Sequence, residues 1–160
     1  MNINKLKTMK TLKLIPILLC IFMLNVASMC SSDDNPTTNV AQTQVVSTAS
    51  SGTWRITLYD DSGTIKTSNF TGYSFAFGSG NVLTATNGST VNSGTWSVTD
   101  SNSNDDTIDD LHFNVLFNTP ANFADLSNDW HIVSRTDTKI QLNDVSGGNG
   151  GTDYLTFEKN

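Results

Sequence analysis

The strongest constraint on this chain is a rhythm that begins at residue 51. Apolar and polar residues alternate in short segments, and each segment is closed off by a cluster of Gly, Asn, Asp or Ser. A period of two sends successive side chains to opposite faces of a strand, so each segment predicts a strand with one buried face. In "GTWRITLYD" the alternation puts Trp54, Ile56 and Leu58 on one face, with Arg55, Thr57 and Tyr59 on the other. "GYSFAF" groups Tyr73, Phe75 and Phe77, "NVLTAT" leaves either face open, and "GTWSVT" groups Trp96 with Val98. "DLHFNVLF" aligns Leu111, Phe113, Val115 and Phe117 and turns His112 and Asn114 outward. "WHIVSR", "KIQLND" and "DYLTFEK" pair Trp130 with Ile132, Ile140 with Leu142, and Leu155 with Phe157. The one helical candidate is "TPANFADLS", with Thr119 as cap and Pro120 opening the turn.

These segments, joined by tight turns, predict an all-β domain over residues 51–160: an eight-stranded antiparallel up-and-down barrel, in which closure leaves no exposed strand edge. The competing architecture is an immunoglobulin-type sandwich, which normally carries a cysteine pair. Both cysteines, Cys20 and Cys30, precede the domain, so it can hold neither an internal disulfide nor a cysteine-based zinc site. Pairing of the first strand with the last decides for the barrel. "SGTW" occurs at 51–54 and again at 93–96, and is read as one local need met at two strand starts.

"GTW" at 52–54, at the head of such a meander, resembles the G-x-W motif of lipocalins and of lipocalin-like domains in small bacterial lipoproteins. The resemblance implies a calycin-type barrel whose closed end is plugged by Trp54, with Gly52 letting the chain pass close by. It also implies a basic residue stacked on that tryptophan, for which Arg135 is the candidate.

Residues 1–29 have the form of an export signal, a lysine-bearing start followed by "LIPILLCIFMLNVASM". Met9 opens "MKTLKLIPILL", which has every element of such a signal, so either Met1 or Met9 could be the initiator. "VASMC" resembles the lipobox of bacterial lipoproteins, which implies a lipidated Cys30 at the mature N-terminus. Ser31 resembles the sorting pattern for the outer membrane, and "SDDN" is similar to the acidic tag of surface-exposed lipoproteins. Two or more acyl chains hold a protein stably on a membrane, each buried methylene contributing about 0.8 kcal/mol. Residues 30–50, rich in Ser, Thr, Asn and Gln and free of aromatics, are expected to be a flexible tether.

Four of the nine basic residues (Lys5, Lys7, Lys10, Lys13) lie in the leader, while all fifteen acidic residues follow it. Removing the leader leaves five positive against fifteen negative charges, a formal −10 that disfavours nucleic acid as a partner. With inward strand positions apolar, and with no nucleophile elbow or phosphate-binding glycine loop, the chain is expected to be a non-catalytic monomer. Its leading function is binding of a small hydrophobic ligand inside the barrel, with Phe75, Trp96, Phe113 and Trp130 as the lining residues. The alternative is a cell-envelope interaction or structural protein, whose packed barrel displays loops to a protein or glycan. No cofactor is required. The acidic loop "DSNSNDDTIDD" makes Asp105, Asp106, Asp109 and Asp110 a secondary candidate for Ca2+.

Overall fold

The computed structural model describes residues 40–101, 108, 110–145 and 150–160. Cys30, the expected leader (residues 1–29), the first part of the expected tether and three of the four loop aspartates (Asp105, Asp106, Asp109) lie outside these residues. The described chain starts with a helix, α1 (Val40–Ala49), followed by β1 (Trp54–Asp61) and a two-residue strand, β2 (Thr64–Ile65). Then come β3 (Ser74–Phe77), β4 (Val82–Asn87), β5 (Thr90–Asp100) and β6 (Leu111–Leu116). A short helix α2 (Ala121–Ala124) leads to β7 (Asn128–Arg135), β8 (Lys139–Val145) and β9 (Thr152–Lys159).

Every neighbouring pair of strands is antiparallel, in the order β1-β3-β4-β5-β6-β7-β8-β9, and β9 returns to pair with β1. The closing ladder runs from Trp54 opposite Lys159 to Asp60 opposite Tyr154. This is a closed eight-stranded up-and-down barrel, with β2 only extending the far end of β1. Closure satisfies the edge hydrogen bonds that a sandwich would leave to solvent or to other means of protection. The joint between β1 and β3 is the thinnest, with one register pair, Trp54 opposite Phe75.

The inward faces follow the alternation on most strands: Phe75, Phe77, Leu83, Ala85, Trp96, Val98, Leu111, Phe113, Val115, Phe117, Trp130, Ile132, Ile140, Leu142, Leu155 and Phe157 are all buried. β1 departs from it. A bulge between Ile56 and Leu58 adds a residue against β9, and beyond it the faces exchange. Tyr59 is therefore buried and Leu58 only partly so, the reverse of the simple alternation. The two "GTW" strings also differ in their reasons for glycine. Gly52 has φ +102°, whereas Gly94 lies inside β5, where a Cβ would come within 2.3 Å of the Leu116 carbonyl oxygen.

Residues 40–50, expected to be tether, instead form α1 and its end, docked on the barrel. Val45, Thr48 and Ala49 are buried, and Ala41 packs on the same core, a stripe spaced i, i+4, i+7, i+8. Gln42 Nε2 donates to the Val98 carbonyl (2.7 Å), and Arg135 donates to Thr48 Oγ1 (2.7 Å) and Gln44 Oε1 (3.0 Å). In α2, Pro120 itself occupies the cap position: its carbonyl accepts from Phe123 N (2.9 Å) and Ala124 N (3.0 Å), and the Thr119 side chain makes no capping bond.

Both mouths of the barrel are closed. At the end where β1 begins, α1 buries Val45 and Ala49 against the core, and Trp54 Nε1 donates to the Ala49 carbonyl at 2.8 Å. At the opposite end, Phe70 from the turn after β2 and Phe123 from α2 meet edge to face at 5.3 Å. Phe123 also contacts Tyr73, Phe75 and Phe117.

Candidate functional site

The four residues expected to line a cavity sit in one continuous aromatic core. Phe75 and Phe113 have no accessible surface, Trp130 has 1% and Trp96 has 6%. A side chain lining a space that admits even one water has accessible area, so Phe75 and Phe113 border no such space. Phe77 bridges Trp96, Phe113 and Phe157 at ring-centre distances of 5.2, 5.2 and 5.3 Å, all edge to face. Phe157 in turn meets Phe75 at 5.6 Å. The indoles are satisfied locally: Trp96 Nε1 donates to the Gly78 carbonyl (2.9 Å) and Trp130 Nε1 to the Leu126 carbonyl (3.0 Å). Offset and edge-to-face arrangements of this kind are the favoured packing of aromatic rings.

At the plugged end, Trp54 is fully buried. The cation over its ring belongs to Lys159, with Nζ 5.6 Å from the ring centre, and not to Arg135, which is committed to α1. The lysine is held by Ser51 Oγ (2.9 Å) and the Asp137 carbonyl (3.4 Å). A Cβ on Gly52 would approach Lys159 Cε to 3.3 Å, so the glycine gives the lysine its path over the tryptophan. No feature of the sequence by itself marked Lys159: its position opposite Trp54 follows from the register of the closing ladder.

The opposite end carries an ionic cluster. Lys66 is paired with Asp61 and with Asp125 (3.1 Å), and these carboxylates hold its ammonium above the ordinary lysine range. Beneath it Tyr59 donates its hydroxyl to the Asp125 carbonyl at 2.6 Å; burial, assisted by Asp61, pushes this phenol up to about 12. Asp110, the described member of the acidic loop, accepts at its carbonyl from Ser101 N (3.1 Å) and Ser101 Oγ (3.0 Å), which ties the base of that loop. Among the described residues, no three of His, Cys, Asp and Glu come together as a metal-holding group.

A surface pocket of about 420 Å³ lies outside the aromatic core, between α1 (Val46, Ser50), the Gly78–Asn81 turn and Trp96–Val98 of β5. Trp96, a member of the aromatic core with 6% of its surface accessible, is one of the pocket's lining residues. The wall beside it is electrically neutral. Residues 67–99, which include β3, β4 and nearly all of β5, contain no charged side chain. Their outward positions form short cross-strand rows: Ser74–Thr86–Val91, Ala76–Thr84–Ser93 and, with β6, Val82–Thr95–Leu116. Val82, Val91 and Leu116 are exposed on this wall. In a chain of formal charge −6 such a stretch is a sequence-level signal that strand periodicity alone passes over. Comparisons with protein-family models, with curated proteins and with solved structures gave no match to this chain.

Proposed function

We propose that this chain is a lipid-anchored, non-catalytic lipoprotein of the outer membrane, and that its lipocalin-like barrel is a packed interaction module and not a carrier of apolar ligands. The observation that carries this reading is the filled interior, with aromatic side chains in mutual contact along the core and a cap at each mouth. A ligand entering that space would have to displace rings that already bury one another, so the gain in apolar burial is small and the loss of packing is large. The buried hydroxyls among the described residues belong to Thr48, Thr156 and Tyr59; the Tyr59 phenol is held by the Asp125 carbonyl and burial disfavours its ionised form, so it supports packing and is not set up as an acid or nucleophile. Recognition then falls to the outer surface. A protein or glycan partner meets least charge repulsion on the neutral wall of β3, β4 and β5.

The test has two arms. Titration of the purified protein with a fluorescent apolar probe should give no saturable enhancement; a saturable, stoichiometric signal would restore the carrier reading. Cys30→Ser should move the protein from the membrane to the soluble fraction, and unchanged partitioning would remove the anchor from the proposal.

A further inference from the structure

On the outer wall, away from both caps, the ladder between β6 and β7 sets His112 directly opposite His131. Their rings lie 4.4 Å apart between centres and are inclined by 49°. His112 Nδ1 faces two atoms of Asp129, the backbone carbonyl oxygen at 3.4 Å and Oδ2 at 3.9 Å. Both are acceptors only, so the favourable tautomer carries its proton on Nδ1 and leaves the lone pair on Nε2. That is the arrangement by which a carboxylate or carbonyl orients a ligating imidazole. His131 is exposed, and its other register neighbour, Asn143, brings no positive charge.

We propose that His112 and His131 form a two-imidazole chelate for a borderline divalent transition-metal ion such as Zn2+, Ni2+ or Cu2+, with water completing the coordination. Two imidazoles bound at about 2.0–2.1 Å to one tetrahedral ion have ring centres about 5 Å apart. The observed spacing needs to open by less than about 1 Å, which side-chain rotation on an open sheet face supplies. The antiparallel ladder fixes the two Cβ atoms side by side, so most of the chelate's ordering is already present in the fold. The acidic surface raises the local concentration of cations. The inference rests on the geometry of β6 and β7 and is independent of the proposed function.

The experiment is an NMR titration of the intact protein, in detergent and without added histidines, using Zn2+ and Ni2+ and following the imidazole resonances. Both histidines should respond together at one ion per chain, and Cu2+ should bind more tightly than either, as the Irving–Williams order requires. His131→Ala should weaken binding by about tenfold or more, since even outer-shell changes at metal sites cost about 10–100-fold. His112→Ala should do the same. Equal affinity in wild type and both variants, or displacement of the ion by stoichiometric Ca2+, would place the cation on the acidic loop and overturn the assignment.

Discussion

A single inserted residue in β1 decides where Tyr59 points. Period two places it on the solvent face of β1, and the bulge at Ile56/Leu58 carries it into the core instead. No residue in "WRITLYDD" announces the bulge; it arises from the pairing with β9, so a reading of β1 by itself could not find it. Once inside, the phenol satisfies its hydroxyl on the Asp125 carbonyl and meets Phe70 and Trp130 edge to face. Its ionised form is disfavoured by burial first and by Asp61 second, which raises its titration from 10.0 to about 12. The linkage sign follows. A phenol whose folded value exceeds the unfolded one contributes stability that is complete below pH 10 and is lost as pH rises toward 12. Urea unfolding should therefore show a stability loss across that window, and Tyr59→Phe should flatten it while lowering stability at neutral pH by about 1 kcal/mol through the lost hydrogen bond. An equally steep loss in the variant would assign the alkaline transition to other groups.

At the scale of elements, the eight barrel strands and the short helix α2 were legible and α1 was not, for physical reasons. Strand faces in "DLHFNVLF" or "KIQLND" are built from large apolar residues, which mark a period clearly. The stripe of α1 is Ala41, Val45, Thr48 and Ala49, residues too small or too polar to stand out, in a segment with two adjacent valines that favour strand by propensity. Ten residues of this composition are marginal as an isolated helix, so α1 owes its conformation to docking. Val45 and Val46 are a natural comparison: the first is fully buried and the second 37% exposed. Replacing either by Ala raises helix propensity by the same amount, so the difference between them reads the dock alone. Val45→Ala should cost about 1–2 kcal/mol more than Val46→Ala in thermal or urea unfolding. A free tether would make the two equal.

For the molecule as a whole, eight alternating segments implied closure, and the β1–β9 ladder supplies it. Whether a closed barrel is hollow depends on its caps, and the caps come from segments with no strand pattern: Phe70, Phe123 and Leu126 at one mouth, and Val45 with Ala49 at the other. Phe75, Trp96, Phe113 and Trp130 were legible as inward-facing, yet the same pattern serves a ligand pocket and a packed core alike. Volume separates them. Phe113 sits between Phe77 (5.2 Å), Trp96 (5.8 Å) and Phe157 (6.5 Å), near the middle of the filled space. Phe113→Ala should cost about 3–5 kcal/mol and leave an apolar void, and voids of that kind stay dry and accept small apolar molecules. Total stability for a domain of this size is about 5–15 kcal/mol, so Phe113→Leu serves as the gentler companion. The expected series in an apolar-probe titration is no saturable binding for wild type, weak binding for the Leu variant and clear binding for the Ala variant, with the probe raising the Ala variant's unfolding temperature. Equal probe binding by all three would mean that the interior already opens to ligands, and the barrel would have to be read as a carrier.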